Sequence, residues 1–234
     1  MKECIQVEGV NKVYDLGDIQ VQALKDISFS LPDSSFVSFV GPSGSGKTTL
    51  LNLIGCLDVP TSGRIDICGE DITKLSYKER ARFRGNNLGI IFQDFNLISV
   101  LTVFENIEYP LIMVQNLPAS ERRERVMELL ESVEMLEQKD KFPSQISGGQ
   151  KQRVAVARAL AVKPRFVLAD EPTANLDHET AYKIISLMKK MRDERGTSFI
   201  FSTHDLKVVK EVDYIYKIED GFLKGKEKVG GENV

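Results

Sequence analysis

Gly41-Pro42-Ser43-Gly44-Ser45-Gly46-Lys47-Thr48 fits G-x-x-x-x-G-K-[ST] and stands between two apolar runs of different period. Before it, Phe36, Val37, Phe39 and Val40 read as a buried strand. After it, Leu50, Leu51, Leu53, Ile54 and Leu57 recur at helical spacing. A glycine-rich strand-to-helix turn aims successive N–H groups inward on an anion, and the helix adds its positive dipole end. The stretch is therefore expected to cradle phosphate, with Lys47 reaching the β- and γ-phosphates and the Thr48 hydroxyl holding Mg²⁺.

Three further segments extend this reading. Phe166-Val167-Leu168-Ala169 is an apolar run ending in Asp170 and Glu171. With its strand placed beside the phosphate strand, Asp170 can organise Mg²⁺ and Glu171 can polarise an attacking water. Residues 198–203 form another strand, and His204, one of two histidines, follows it. Ligands of open parallel sheets bind outside the carboxyl ends of strands, so Gly41, Asp170 and His204 are expected around one γ-phosphate. Ser147-Gly148-Gly149-Gln150 opens the helix-forming run 151–160 and makes a second helix N-terminus able to bind an anion.

Together these motifs resemble the ATP-binding subunits of ATP-binding cassette transporters over almost the whole chain. The resemblance implies an α/β fold: a phosphate-loop NTPase (RecA-like) core with an N-terminal antiparallel β subdomain and an inserted α-helical subdomain. It implies a single domain over 1–234, with the core and β subdomain over 1–93 and 158–225. The helical signature subdomain is then 94–157, with a flexible tail at 226–234. The phosphate loop through Thr49 matches the Walker A motif, Asp170 the Walker B aspartate and Glu171 the catalytic glutamate. Residues 147–150 match the family signature, with Ile146 where leucine is usual. Gln93 matches the loop glutamine that senses Mg²⁺ and the membrane partner, Asn175-Leu176-Asp177 resembles the D-loop, and His204 the switch histidine. Tyr14 stands where an aromatic ring stacks on adenine. ATP and Mg²⁺ are the implied ligands. The implied partners are a second copy, whose signature faces the γ-phosphate held by the first, and a separate integral-membrane permease at the cytoplasmic face of the membrane.

A finer resemblance, carried by residues 54–58, 60–63, 95–97 and 169–173, is to the lipoprotein-releasing LolD and macrolide-exporting MacB subgroup. FtsE-like division cassettes, which drive a membrane complex without transport, are the alternative. Ala174 stands where this subgroup commonly has glycine.

Composition agrees with this reading. The chain has 234 residues, 42% of them hydrophobic, enough for one domain with an insert. A net charge of −3 gives no footprint for nucleic acid. Cys4, Cys56 and Cys68 show no metal or redox spacing and read as free thiols. No apolar run approaches the length of a membrane span. Residues 5–31, broken at Gly17-Asp18, and 65–72 alternate like an antiparallel layer, while Val126, Leu129, Leu130 and Val133 mark a helix face. Ala181, Ile184, Ile185 and Met188 mark another. The charged run 121–125 reads as a solvated helix face, and residues 224–234 as frayed. Leu97, Ile98, Val100, Leu101, Leu111 and Ile112 are expected to be mostly core, any exposed member contributing to a groove for the permease.

Overall fold

The structure, a computed structural model, describes residues 3–15, 17, 19–204 and 208–229. Its strands are β1 (Glu3–Asp15), β2 (Gln20–Pro32), β3 (Phe36–Val40), β4 (Ser62–Ile67), β5 (Glu70–Asp71), β6 (Leu88–Ile91), β7 (Phe166–Asp170), β8 (Ser198–Thr203), β9 (Tyr214–Glu219) and β10 (Phe222–Lys228). Its α-helices are α1 (Lys47–Ile54), α2 (Tyr77–Asn87), α3 (Val103–Pro110), α4 (Ala119–Ser132), α5 (Gly148–Leu160) and α6 (His178–Arg195). One sheet, in the order β2-β1-β4-β5, is antiparallel. The other runs β10-β9-β3-β8-β7-β6, parallel from β9 to β6, with β10 antiparallel at the edge.

Period-two alternation in the central strands distributes their side chains to two cores. Phe199 and Phe201 on β8 face a core shared with α3 to α6, including Ile107, Leu129, Val156 and Ile184. Ile200, between them, joins Val37 and Phe39 in a second core with α1 and the antiparallel sheet, including Leu24, Ile27 and Leu50. Emptying a fully buried phenylalanine site such as Phe201 costs about 3–5 kcal/mol, so this strand register is strongly specified. The registers pair Val40 with Thr203 and Asp170 with Ser202, which brings the carboxyl ends of β3, β8 and β7 level at one rim.

Five expectations need correction. Strand β7 does not lie beside β3, because β8 intervenes; α1 leads Thr48 across the end of β8 to Asp170. Residues 222–228 are not frayed: β10 pairs along β9, since a polar, Lys-rich edge strand can be solvated on its outer side. Residues 230–234 of the expected tail lie outside the described residues. Cys4 and Cys68 are joined as a disulfide, because the β1/β4 register that pairs Ile5 with Ile67 sets them opposite each other, Cα atoms 4.6 Å apart; only Cys56 is free, and burial raises its thiol pKa to about 11. Of the six apolar residues expected to be mostly core, only Leu111 is fully buried, whereas Val100 and Ile112 are 77% and 41% exposed. In the charged run, Arg122 and Arg125 are not wholly solvated, since they bond Glu108 and Gln115.

Candidate functional site

The phosphate loop closes between β3 and α1. Gly46, at φ 106°, caps α1, and a Cβ there would meet the Ala23 carbonyl at 2.7 Å and Leu24 at 2.8 Å. Any other residue would be displaced from that turn. Lys47 is buried, and its Nζ donates to the Gly41 and Pro42 carbonyls at 2.8 and 2.9 Å, so its charge sits inside the loop's ring. Pro42, Ser43 and Gly44 are exposed at the loop's outer side. The buried Ser45 hydroxyl has no hydrogen-bond partner among the described residues, which leaves bonding capacity inside the cradle. A cavity of about 500 Å³ opens over the loop, lined by Gly44, Lys47, Thr48, Thr49 and, opposite, Gln22 and Gly221.

At the rim, the Thr48 hydroxyl lies 2.9 and 3.1 Å from the two Asp170 carboxylate oxygens. Ser202 Oγ donates to Asp170 Oδ1 at 2.6 Å and accepts from the Glu171 N–H at 2.9 Å. Ser202 escaped the sequence reading; its signal was its position two residues before His204 on one strand face. Glu171 adopts φ 47°, uncommon for a residue with a side chain, and its Oε2 lies 2.8 Å from His204 Nδ1. A hydroxyl and a carboxylate converging from two elements form a hard oxygen-donor set that fits Mg²⁺.

Ser147 caps α5 and forms a reciprocal pair with Gln150: its Oγ accepts from the Gln150 N–H, while Gln150 Oε1 accepts from the Ser147 N–H. The N–H groups of Gly148 and Gly149 are then the ones a helix start leaves without intrahelical partners. The glycines also serve packing, since a Cβ on Gly149 would fall 2.5 Å from Thr180 Cγ2 at the start of α6. Asp177 caps α6 through the Thr180 N–H at 3.0 Å, and the bonds from Thr180 hold its carboxyl below the ordinary range. None of residues 147–150 lines the cavity over the phosphate loop, nor does Gln93 or His204.

Tyr14 does not line that cavity, although its strand partner Val21 does, and it is engaged locally. Its hydroxyl donates to Asp58 Oδ2 at 2.9 Å, and Lys12 Nζ sits 4.7 Å from its ring centroid while pairing with Asp58 at 2.8 Å. Burial, then the Asp58 carboxylate, raises the Tyr14 pKa. Burial opposes ionisation of Asp58, but Lys12, the Val59 N–H and Tyr14 outweigh it and hold that carboxyl below its usual value.

The loop that carries Gln93 leaves β6 through Phe95 and Asn96, both at positive φ, and Arg158 of α5 donates to both carbonyls. Burial lowers the Arg158 pKa, and its guanidinium donates to backbone carbonyls. Beside it lies a groove of about 510 Å³ lined by Phe92, Ile98, Tyr109, Val114 and Arg158. Gln93 itself is exposed.

This fold and this rim of strand ends define a phosphate-loop ATPase cassette. The ABC transporter family model matches residues 24–174, and the chain belongs to that family. It is an ABC-type ATP-binding and ATP-hydrolysing subunit. The lipoprotein-releasing system ATP-binding protein LolD of Pseudoalteromonas translucida is 42% identical over 95% of this chain and 96% of its own length. The macrolide export ATP-binding/permease protein MacB of Rhodopirellula baltica is 40% identical over 94% of this chain but only 32% of its own length. Among solved structures, a dimeric post-hydrolysis state of the cassette MJ0796 from Methanocaldococcus jannaschii, bound to ADP and Pi, matches with a TM-score of 0.89 and 41% identity, covering 97% of this chain and 99% of that one. No helix among the described residues is long and apolar enough to cross a membrane.

Proposed function

We propose that two copies of the chain enclose ATP head to tail, each γ-phosphate lying between the phosphate loop of one copy and the Ser147 to Gln150 helix start of the other. The carrying observation is the separation of the two anion-binding helix starts: residues 147–150 do not line the cavity over residues 44–49. One chain thus offers two halves of a site that do not meet within it. That the MJ0796 cassette is dimeric when bound to ADP and Pi supports a two-copy reading.

In this reading Lys47 neutralises charge on the β- and γ-phosphates, and Glu171, oriented by Ser202 and His204, takes the proton of the attacking water. Thr48 and Asp170, with Gln93 completing the shell, would hold Mg²⁺, which supplies charge neutralisation between the phosphates. Tyr14 borders the adenine and Asp177 lies toward the second copy. The exposed Phe92, Tyr109 and Val114 that line the groove beside Arg158 suit a cytoplasmic segment of a permease, which would hold the subunit peripherally at the cytoplasmic face of the membrane. The LolD and MacB relatives support a lipoprotein-releasing or exporter-type complex.

Specific ATPase activity tests the shared site. It should rise with protein concentration at dilution and vanish with EDTA. A specific activity independent of concentration, from a chain that stays monomeric, would overturn the two-copy site.

A further inference from the structure

The turn after β7 and the loop after β6 are tied by one side chain. Asn175 Nδ2 donates to the Gln93 carbonyl at 3.1 Å and to Asp94 Oδ1 at 3.1 Å, which uses both of its protons. Asn175 belongs to the same short turn as Glu171, whose carbonyl accepts from the Ala174 N–H at 3.1 Å. The Gln93 loop needs such fixing. It carries two successive residues at positive φ, Phe95 at 62° and Asn96 at 46°, and it is exposed at 92, 93, 94 and 96. Arg158 holds its far end through the carbonyls of Phe95 and Asn96. Asn175 is the side chain that holds its near end to the segment carrying Glu171.

We infer that Asn175 is a positioning residue for hydrolysis, fixing the backbone of Gln93 relative to Glu171 so that the groups proposed to bind the metal and to activate water move as one unit. This rests on the proposed roles of Gln93 and Glu171. Its chemistry is specific: one bond is to a backbone carbonyl, and the other is charge-assisted, to the Asp94 carboxylate. Asn175 touches neither phosphate nor water in this reading. Its loss should therefore act on turnover and spare ATP affinity.

The experiment is steady-state ATPase kinetics of the isolated chain. Asn175→Ala should lower kcat about five- to tenfold, the scale of one neutral hydrogen bond such as that to the Gln93 carbonyl, with KM for ATP within about twofold. Asn175→Asp should lower kcat further, because it sets a second carboxylate against Asp94. Asp94→Asn alone keeps an acceptor for Asn175 and should have little effect. Combined with Asn175→Asp, it restores a donor and an acceptor across the pair and should recover most of the additional loss. A merely structural role would not produce that rescue, and it serves even if Asn175→Ala lowers the melting temperature. Unchanged kcat in both Asn175 variants, or a double variant no better than Asn175→Asp, would overturn the inference. Glu171→Gln, assayed in parallel, separates the two levels. Full turnover in that variant sinks the site assignment itself, whereas slow turnover with normal Asn175 variants sinks only the positioning role.

Discussion

His204 Nδ1 lies 2.8 Å from Glu171 Oε2, although the two residues directly follow different strands, β8 and β7, and differ in exposure: the His204 side chain is 68% exposed and that of Glu171 18%. The contact engages one carboxylate oxygen of Glu171 and leaves the other free to accept a proton from water.

Glu171→Gln keeps the shape of this pair and removes the base. Mg-ATP should bind and hydrolyse at least about a hundredfold more slowly. Because bound nucleotide then links two copies, size exclusion with light scattering should show a dimer with ATP and a monomer with ADP. Adding Ser147→Arg should abolish the dimer. That substitution also removes the α5 cap, which costs about 1 kcal/mol, so the double variant must be shown to remain folded at the assay temperature. A dimer that survives Ser147→Arg would refute the role of the signature across the interface.

Lys47→Ala should abolish nucleotide binding or turnover. It removes the cation bound to the Gly41 and Pro42 carbonyls. Titration with a fluorescent ATP analogue checks this, and undiminished affinity together with undiminished turnover would exclude the loop as the phosphate site.

Tyr14 separates two effects. Its hydroxyl bond to Asp58 means that Tyr14→Phe should cost about 1 kcal/mol of folding stability while leaving ATP affinity nearly unchanged. Tyr14→Ala should also weaken ATP binding by about 1–2 kcal/mol if the ring stacks on adenine. Urea unfolding and calorimetric titration measure the two separately. Equal affinity losses in both variants would assign the effect to the hydroxyl rather than to the ring.

Acid stability should depend on Asp58. Its carboxyl is held below the ordinary value of 3.8 in the folded chain, so its contribution is present above that value and is lost as pH falls through the depressed one. Asp58→Asn should therefore lower the melting temperature at pH 7, and the gap to the parent protein should narrow below about pH 4. A gap independent of pH would mean that Asp58 acts by packing alone.

The α/β core and the antiparallel layer were legible because they rest on local signals. Alternation marked β1 and β2, helical spacing marked α1 and the faces of α4 and α6, and the phosphate loop announced its own turn. Strand adjacency was not legible. Nothing in residues 36–40 or 166–170 says that β8 runs between them, since order in a parallel sheet is decided by crossovers far apart in sequence. The Cys4–Cys68 pairing was hidden for the same reason: it depends on the β1/β4 register across a sequence separation of 64. In the site, the charged and glycine-rich residues were legible by chemical type. Ser202 and Arg158 were not, and Asn175 was legible only as part of the D-loop, because a serine, an amide or an arginine becomes informative only when its partners are known.

Helix α5 runs unbroken from Gly148 to Leu160, with the Ser147 cap at one end and Arg158 on the groove loop at the other. Its 13 residues span about 20 Å, so a displacement imposed on the Arg158 end is transmitted to the Ser147 end. A tilt of about 10° around the Arg158 end would sweep Ser147 through about 3 Å, roughly the full length of a hydrogen bond. Because Gly149 packs on Thr180 and Gln152, Val154 and Val156 are fully buried, such a tilt would carry α6 and its core neighbours along with the tip that reaches for a neighbour's phosphate.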